Sequence, residues 1–505
     1  MVRSDVRAAR VDDGERVGAL LSRRTVFAGL LVLIAVYYLF LLSNGTFELF
    51  APEMFGRVFD NMLVHLLHGE FTVDASVIDY EAFTRNGKTY SYFGIFPALL
   101  RLVAMPFTDV ATVEFARVSC LTAVVIFVAL QLRMLLIAHN SLLPASRLPW
   151  ALIVTATATV FSGPQLYILG TAYIYQEPIL WAAAMAAAFN LIVLRAALGG
   201  AGLRSRDLVA LAVLAGLAIN TRPPIGVALS LGTVLLVIWT AWCRHKGDRR
   251  LSAPPRRIGT AIAALLLDPS VLWPIAVLGL LGVAVGVVNF ERWGNPLTFG
   301  DFHYNYWIRH NPSRLAALEN YGSFNLGRMW IGALYYATGI PYLLKSVPPF
   351  DAYLQARFVD IEAPPITPLL TNPLTILLAG AGLYRLWSRP RPPDNSVAIL
   401  RLALIGNASS VALIFMASGL ALRYRFDLAP FMTLAALVGY RSISLTAAES
   451  SEAWRKRLHI AAVGLCVLGI LVSHYVLIIH KVWSVGSPME IRRALSVFAP
   501  FAFKP

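Results

Sequence analysis

Charge is what this sequence has least of. Of 505 residues, 14% are charged and 57% hydrophobic, where soluble domains carry about 25% charge, and a water-soluble fold is not expected. Cysteine is scarce as well. Cys120, Cys243 and Cys466 each sit in or beside an apolar run without metal-ligand spacing, which argues against a disulfide framework or a zinc site. The first apolar run lacks a small-residue cleavage motif, because Asn44-Gly45-Thr46 leads into Phe47 and Leu49. Thr25–Leu42 therefore reads as an uncleaved first span. No internal repeat, Gly/Ser linker or second soluble domain is visible.

What is present is a series of apolar runs long enough to cross a hydrocarbon core about 30 Å thick. They predict an all-α polytopic membrane protein of about eleven helices. The spans run Thr25–Leu42, Glu114–Ile137, Leu148–Leu169, Pro178–Leu198, Asp207–Ile219, Pro223–Trp242, Val271–Phe290, Pro373–Trp387, Val397–Leu420, Phe426–Tyr440 and Leu458–Ile479. The formal charge of +15 comes from short basic loops between these runs, so it reports orientation rather than nucleic-acid binding. With the N-terminal tail (1–24) cytoplasmic, the loops carrying Arg204 and Arg206, Arg244 to Arg257, Arg389 and Arg391, and Arg441 to Arg457 all fall on its side. The membrane domain then covers 25–479 and the tail 480–505 lies outside the cytoplasm; the expected location of the protein is a bacterial inner or plasma membrane. Tyr92–Phe107 and Met329–Leu344 would break this alternation as spans and are expected to lie in the interface.

Two outer loops are long, 43–113 and 291–372. The first holds Glu48, Glu53, Asp60, Glu70, Asp74, Asp79 and Glu81 and is too apolar for disorder. Pro52 to Gly69 reads as one helix with Glu53 and Asp60 on a shared face. A carboxylate partly desolvated there can act as a general base; a solvated or paired surface acid is the structural alternative. Glu177, at the head of an apolar span, either faces a polar cavity or complements the helix dipole. Arg222 and Arg423, at span ends on the same side, offer forked donors that fit phosphate oxygens, or simply snorkel.

Further motifs lie in order along the chain: Gly87-Lys88-Thr89-Tyr90-Ser91-Tyr92-Phe93-Gly94 before Pro97, Phe115-Ala116-Arg117, Gly170 to Pro178, Asn289 to Pro296, and an Arg-Tyr pair followed by Pro430. In these the chain resembles the GT-C superfamily of membrane glycosyltransferases, in layout the bacterial aminoarabinose transferases and protein O-mannosyltransferases. The resemblance implies a polyisoprenyl-phosphate sugar donor, a hydroxyl acceptor, transfer with inversion on the extracytoplasmic face, and an acidic base in the first outer loop. That role carries over to Glu53, with Asp60 as fallback, and Glu177-Pro178 matches an acid-Pro pair of the relatives. A Glu-Lys-Pro of the aminoarabinose transferases is missing before the interfacial helix, which shifts donor-phosphate binding onto Arg222, Arg423 and Lys88. No cofactor is required, although acids beside a lipid phosphate can hold a divalent metal. The competing readings are a transporter or flippase, or a polymerase, for lipid-linked saccharides, and a non-catalytic scaffold.

Overall fold

The computed structural model describes residues 19–21, 23–200, 202–247, 268–363, 366–388, 394–483 and 489–496. The principal helices are α1 (Arg24–Leu42), α2 (Val58–Leu67), α3 (Ala116–Asn140), α4 (Pro149–Phe161), α5 (Gln176–Leu198), α6 (Ser205–Ile219), α7 (Pro223–Gly247), α8 (Pro269–Trp293), α9 (Met329–Thr338), α10 (Pro373–Trp387), α11 (Asn395–Met416), α12 (Ala429–Glu449) and α13 (Glu452–Trp483). Among the described residues nine helices are long and apolar enough to cross a membrane, and they coincide with nine of the expected spans. The other two expected spans are α6 and α10, of 15 residues each, shorter than the roughly 20 residues of a perpendicular crossing. The basic loop residues Arg249, Arg250, Arg256, Arg257, Arg389 and Arg391, and most of both tails, lie outside the described residues.

The bundle is centred on α5, whose Leu180, Ala182, Ala186 and Asn190 are fully buried. Helices on the periphery instead turn apolar side chains outward, as Leu33 on α1 and Leu280 on α8 do, which suits a lipid surround. Close approach depends on small residues. A Cβ on Gly439 of α12 would stand 1.8 Å from the Leu378 carbonyl oxygen of α10. Polar contacts add direction: Asn407 donates to Asn190 (2.9 Å), which donates to the Pro430 carbonyl (2.9 Å).

The outer loops are folded. In the first, α2 begins only at Val58, because Phe55 takes a left-handed φ of 58° and ends any earlier helical run. Gly56 follows there because a Cβ would stand 2.0 Å from Glu114 Oε1. Glu53 therefore lies outside the helix that carries Asp60, and the expected shared face is not formed. A hairpin of β1 (Phe83–Arg85) and β2 (Lys88–Tyr90) turns at Asn86-Gly87, both with positive φ, as a two-residue hairpin turn requires. Tyr92–Phe107, expected as one interfacial helix, contains only the short helical turns Phe96–Leu99 and Leu100–Val103. It docks on the α6–α7 turn, where Phe96 N donates to the Asn220 carbonyl at 3.0 Å.

The second loop packs over the first through Phe83, Tyr90 and Trp293. Its helix α9 stops at Gly339, with φ of 77°, and Ile340–Leu344 follows as a separate turn. A parallel pair, β3 (Asp360–Ile361) with β4 (Gly419–Leu420), ties this loop to the segment before α12.

Candidate active site

A cavity of about 590 Å³ opens between the two folded loops and the outer ends of the bundle. Its polar lining includes Glu81 from the first loop, Arg314, Asp360 and Glu362 from the second, Arg423 before α12 and His480 near the end of α13. Tyr80, Tyr92, Tyr173, Tyr175, Trp307 and Tyr424 supply aromatic walls.

Arg423 is the hub. It donates to Glu362 Oε1 at 2.5 Å, its guanidinium lies 4.2 Å from the Tyr175 ring centroid, and its Nε has no acceptor among the described residues. Tyr424 separates it from Arg222, with guanidiniums 5.3 and 4.8 Å from the ring centroid. Arg222 does not line the cavity; it donates to Asp427 Oδ1 at 2.5 Å and so braces the segment that bears Arg423. Glu81 has its pKa raised by burial, against the opposing pull of a hydrogen bond from Tyr175 and the charge of Arg423.

The other acids singled out by sequence lie behind the cavity wall. Asp60 and Glu177 converge on Arg101, itself buried: Nε donates to Asp60 at 2.7 Å and Nη2 to Glu177 at 2.9 Å. Ser119 also donates to Glu177, at 2.5 Å. Glu53 accepts from Arg117 at 2.6 Å and from Ala172 N at 3.4 Å. Lys88 is exposed on β2, away from the cavity. The structure thus joins Asp60 with Glu177 and Arg222 with Arg423, but gathers neither pair with Glu53 or Lys88.

Sequence reasoning missed Arg101, Glu81, Glu362 and His480. Glu81 sat unremarked among the acids of the first loop. His480 fell in the expected tail, whereas α13 continues to Trp483 and the adjacent Lys481 donates to Leu41 O at 2.5 Å and to Asn44. No group of three or more His, Cys, Asp or Glu side chains among the described residues could hold a metal ion.

A second, largely apolar cavity of about 340 Å³ runs between α3, α4, α9, α10 and α12. From Leu428 to Tyr440 along α12 it extends about 18 Å into the bundle. Tyr167 lines both cavities. Arg425 reaches this one, 5% exposed, with Nε and Nη2 lacking acceptors among the described residues.

No family model matches the chain, and no curated protein matches it. Solved structures are similar to it over most of its length. ArnT from Cupriavidus metallidurans bound to undecaprenyl phosphate shares 14% identity at a TM-score of 0.43, over 94% of this chain and 70% of that one. The archaeal oligosaccharyltransferase AglB from Archaeoglobus fulgidus, in complex with an inhibitory peptide and a dolichol-phosphate, shares 14% at 0.44, over 94% and 60%. The apo form of the Archaeoglobus fulgidus oligosaccharyltransferase shares 12% at 0.46, over 95% and 60%.

Proposed function

We propose that the chain is a membrane glycosyltransferase of the GT-C kind that moves a sugar from a polyisoprenyl-phosphate donor to a hydroxyl acceptor in the 590 Å³ cavity, inverting the anomeric carbon. The observation that carries this reading is that two environments adjoin on either side of Tyr167: a polar, aromatic-walled chamber holding Glu81 and Arg423, and an apolar groove sunk into the bundle. An amphiphile with a sugar at one end and a long hydrocarbon at the other needs both.

Glu81 serves as the base. As the acceptor oxygen attacks the anomeric carbon, the carboxylate takes its proton, the bond from that carbon to the phosphate oxygen breaks, and the polyprenyl phosphate leaves with the electron pair. Attack opposite the leaving group gives inversion. Arg423 stabilises the charge growing on the phosphate, a role suited to its fork and to an Nε that has no acceptor among the described residues. Tyrosine and tryptophan rings on the walls fit the apolar faces of sugar rings. The assignment keeps the base in the first outer loop but moves it from Glu53 to Glu81, because Glu53, Asp60 and Glu177 are engaged by arginines away from the chamber. These three are positioning residues that fix the loop bearing Glu81.

The test is transfer by purified protein supplied with polyprenyl-phospho-sugars and a panel of lipid, glycan and peptide hydroxyls. Glu81→Gln should abolish transfer while Glu53→Gln retains a measurable share. The reverse order would return the base to Glu53, and transport of the donor without transfer would overturn the enzymatic reading.

A further inference from the structure

At the end of the bundle opposite the polar chamber, a cavity of about 380 Å³ lies among α5, α10, α11 and α12. Three arginines from three helices line it: Arg385 in the last turn of α10, Arg401 near the start of α11 and Arg441 on α12. One carboxylate, Asp394, opposes them. Snorkelling and the basic bias of one membrane face explain why arginines stand at helix ends. They do not explain why three converge on a common hollow, where like charges repel.

Arg401 is partly satisfied, since Nε donates to the Leu386 carbonyl at 3.0 Å. Arg441 is not: its Nε is buried without an acceptor among the described residues. A buried guanidinium donor left unpaired costs free energy, and an acceptor from outside the chain removes that cost. Apart from Ser396 and Ser442 the remaining wall is apolar, with Leu198, Val438 and Leu445 flanking the arginines. A free inorganic anion would gain nothing from those apolar side chains.

We propose that this cavity binds one anionic phospholipid, its phosphodiester seated among Arg385, Arg401 and Arg441 and the start of its acyl chains lying along the apolar wall. The forked donors of arginine match phosphodiester oxygens, and basic pockets between membrane helices are suited to anionic headgroups. A zwitterionic lipid brings its own cation into the same hollow and fits less well. The site tethers α10, α11 and α12 at one end, and the segment bearing Arg423 joins α11 to α12 at the other.

The experiment is native mass spectrometry of the full chain in detergent, with phosphatidylglycerol and phosphatidylcholine of identical acyl chains in competition. The expected result is one phosphatidylglycerol retained in roughly tenfold preference, lost in Arg385→Gln/Arg441→Gln. If the double variant does not fold, Arg385→Gln alone, half-buried at the rim, carries the comparison. Equal retention of the two lipids by the wild-type chain would overturn the proposal, as would a folded variant that keeps the preference. Soluble glycerophosphoglycerol displacing the lipid at equal concentration would overturn the commitment to a lipid. No sugar transfer is measured, so the result stands apart from the proposed activity.

Discussion

Arg101 grips Glu177 across 76 positions of sequence, Nη2 to Oε2 at 2.9 Å, with both side chains buried. This pair fastens the first outer loop to the head of α5. Asp60 completes the cluster on the same guanidinium. Removing Arg101 strands two carboxylates away from water. Arg101→Met is expected to destabilise the protein by about 3–5 kcal/mol, read as a lowered thermal midpoint in detergent. Neutralising both acids as well, with Asp60→Asn and Glu177→Gln, should recover part of the loss.

Glu81→Gln should lower the transfer rate by about 10²–10⁴-fold without changing helical content. Burial raises the pKa of Glu81 and the base works only when deprotonated. The wild-type rate should therefore climb with pH through a limb above the ordinary glutamate range near 4.3. A residual rate in the variant that retained this limb would assign it to another group.

Arg423→Lys keeps a positive charge but gives up the fork. The expected loss in kcat/KM for a polyprenyl-phospho-sugar is about 10- to 100-fold. Asp427→Asn should act indirectly, by loosening Arg222 from the segment that bears Arg423, and its stability loss should exceed that of Arg423→Lys.

Glu114 accepts a hydrogen bond from Glu53 N at 2.6 Å, and burial lifts its pKa from 4.5 to about 7. The folded state then binds this proton more tightly than the unfolded chain does. Stability from this group is greatest below about pH 4 and declines as pH rises through 7. Glu114→Gln should flatten that decline, measured as thermal midpoint between about pH 5 and 8.

Gly439→Ala would drive a methyl group to 1.8 Å from the Leu378 carbonyl and must push α12 from α10. A large fall in folded yield, judged by gel filtration in detergent, is the expected outcome. Gly464→Ala, with nothing within 4 Å of its Cβ, is the matched control.

Apolar run length made the helices legible, since a 25-residue stretch such as α3 has no other way to satisfy its backbone in lipid. The folding of the first outer loop was legible too, from its length and apolar content. The identity of the acid facing the chamber was not. Glu53, Asp60 and Glu81 share a residue class and a loop, and their separation depends on Arg117 and Arg101, partners 64 and 41 positions away. Nor did local pattern reveal β3 beside β4, where residue 360 meets residue 419 through two residues on each strand, too few for any period to register.

The clasp from Lys481 to Leu41 and Asn44 sets an order on biogenesis. α1 and the loop carrying Glu81 are made before α13, so the chamber lacks its His480 wall until α13 has entered the bilayer. The protein must hold an unfinished chamber while the helices between α1 and α13 are made, and competence arrives only when these two helices meet.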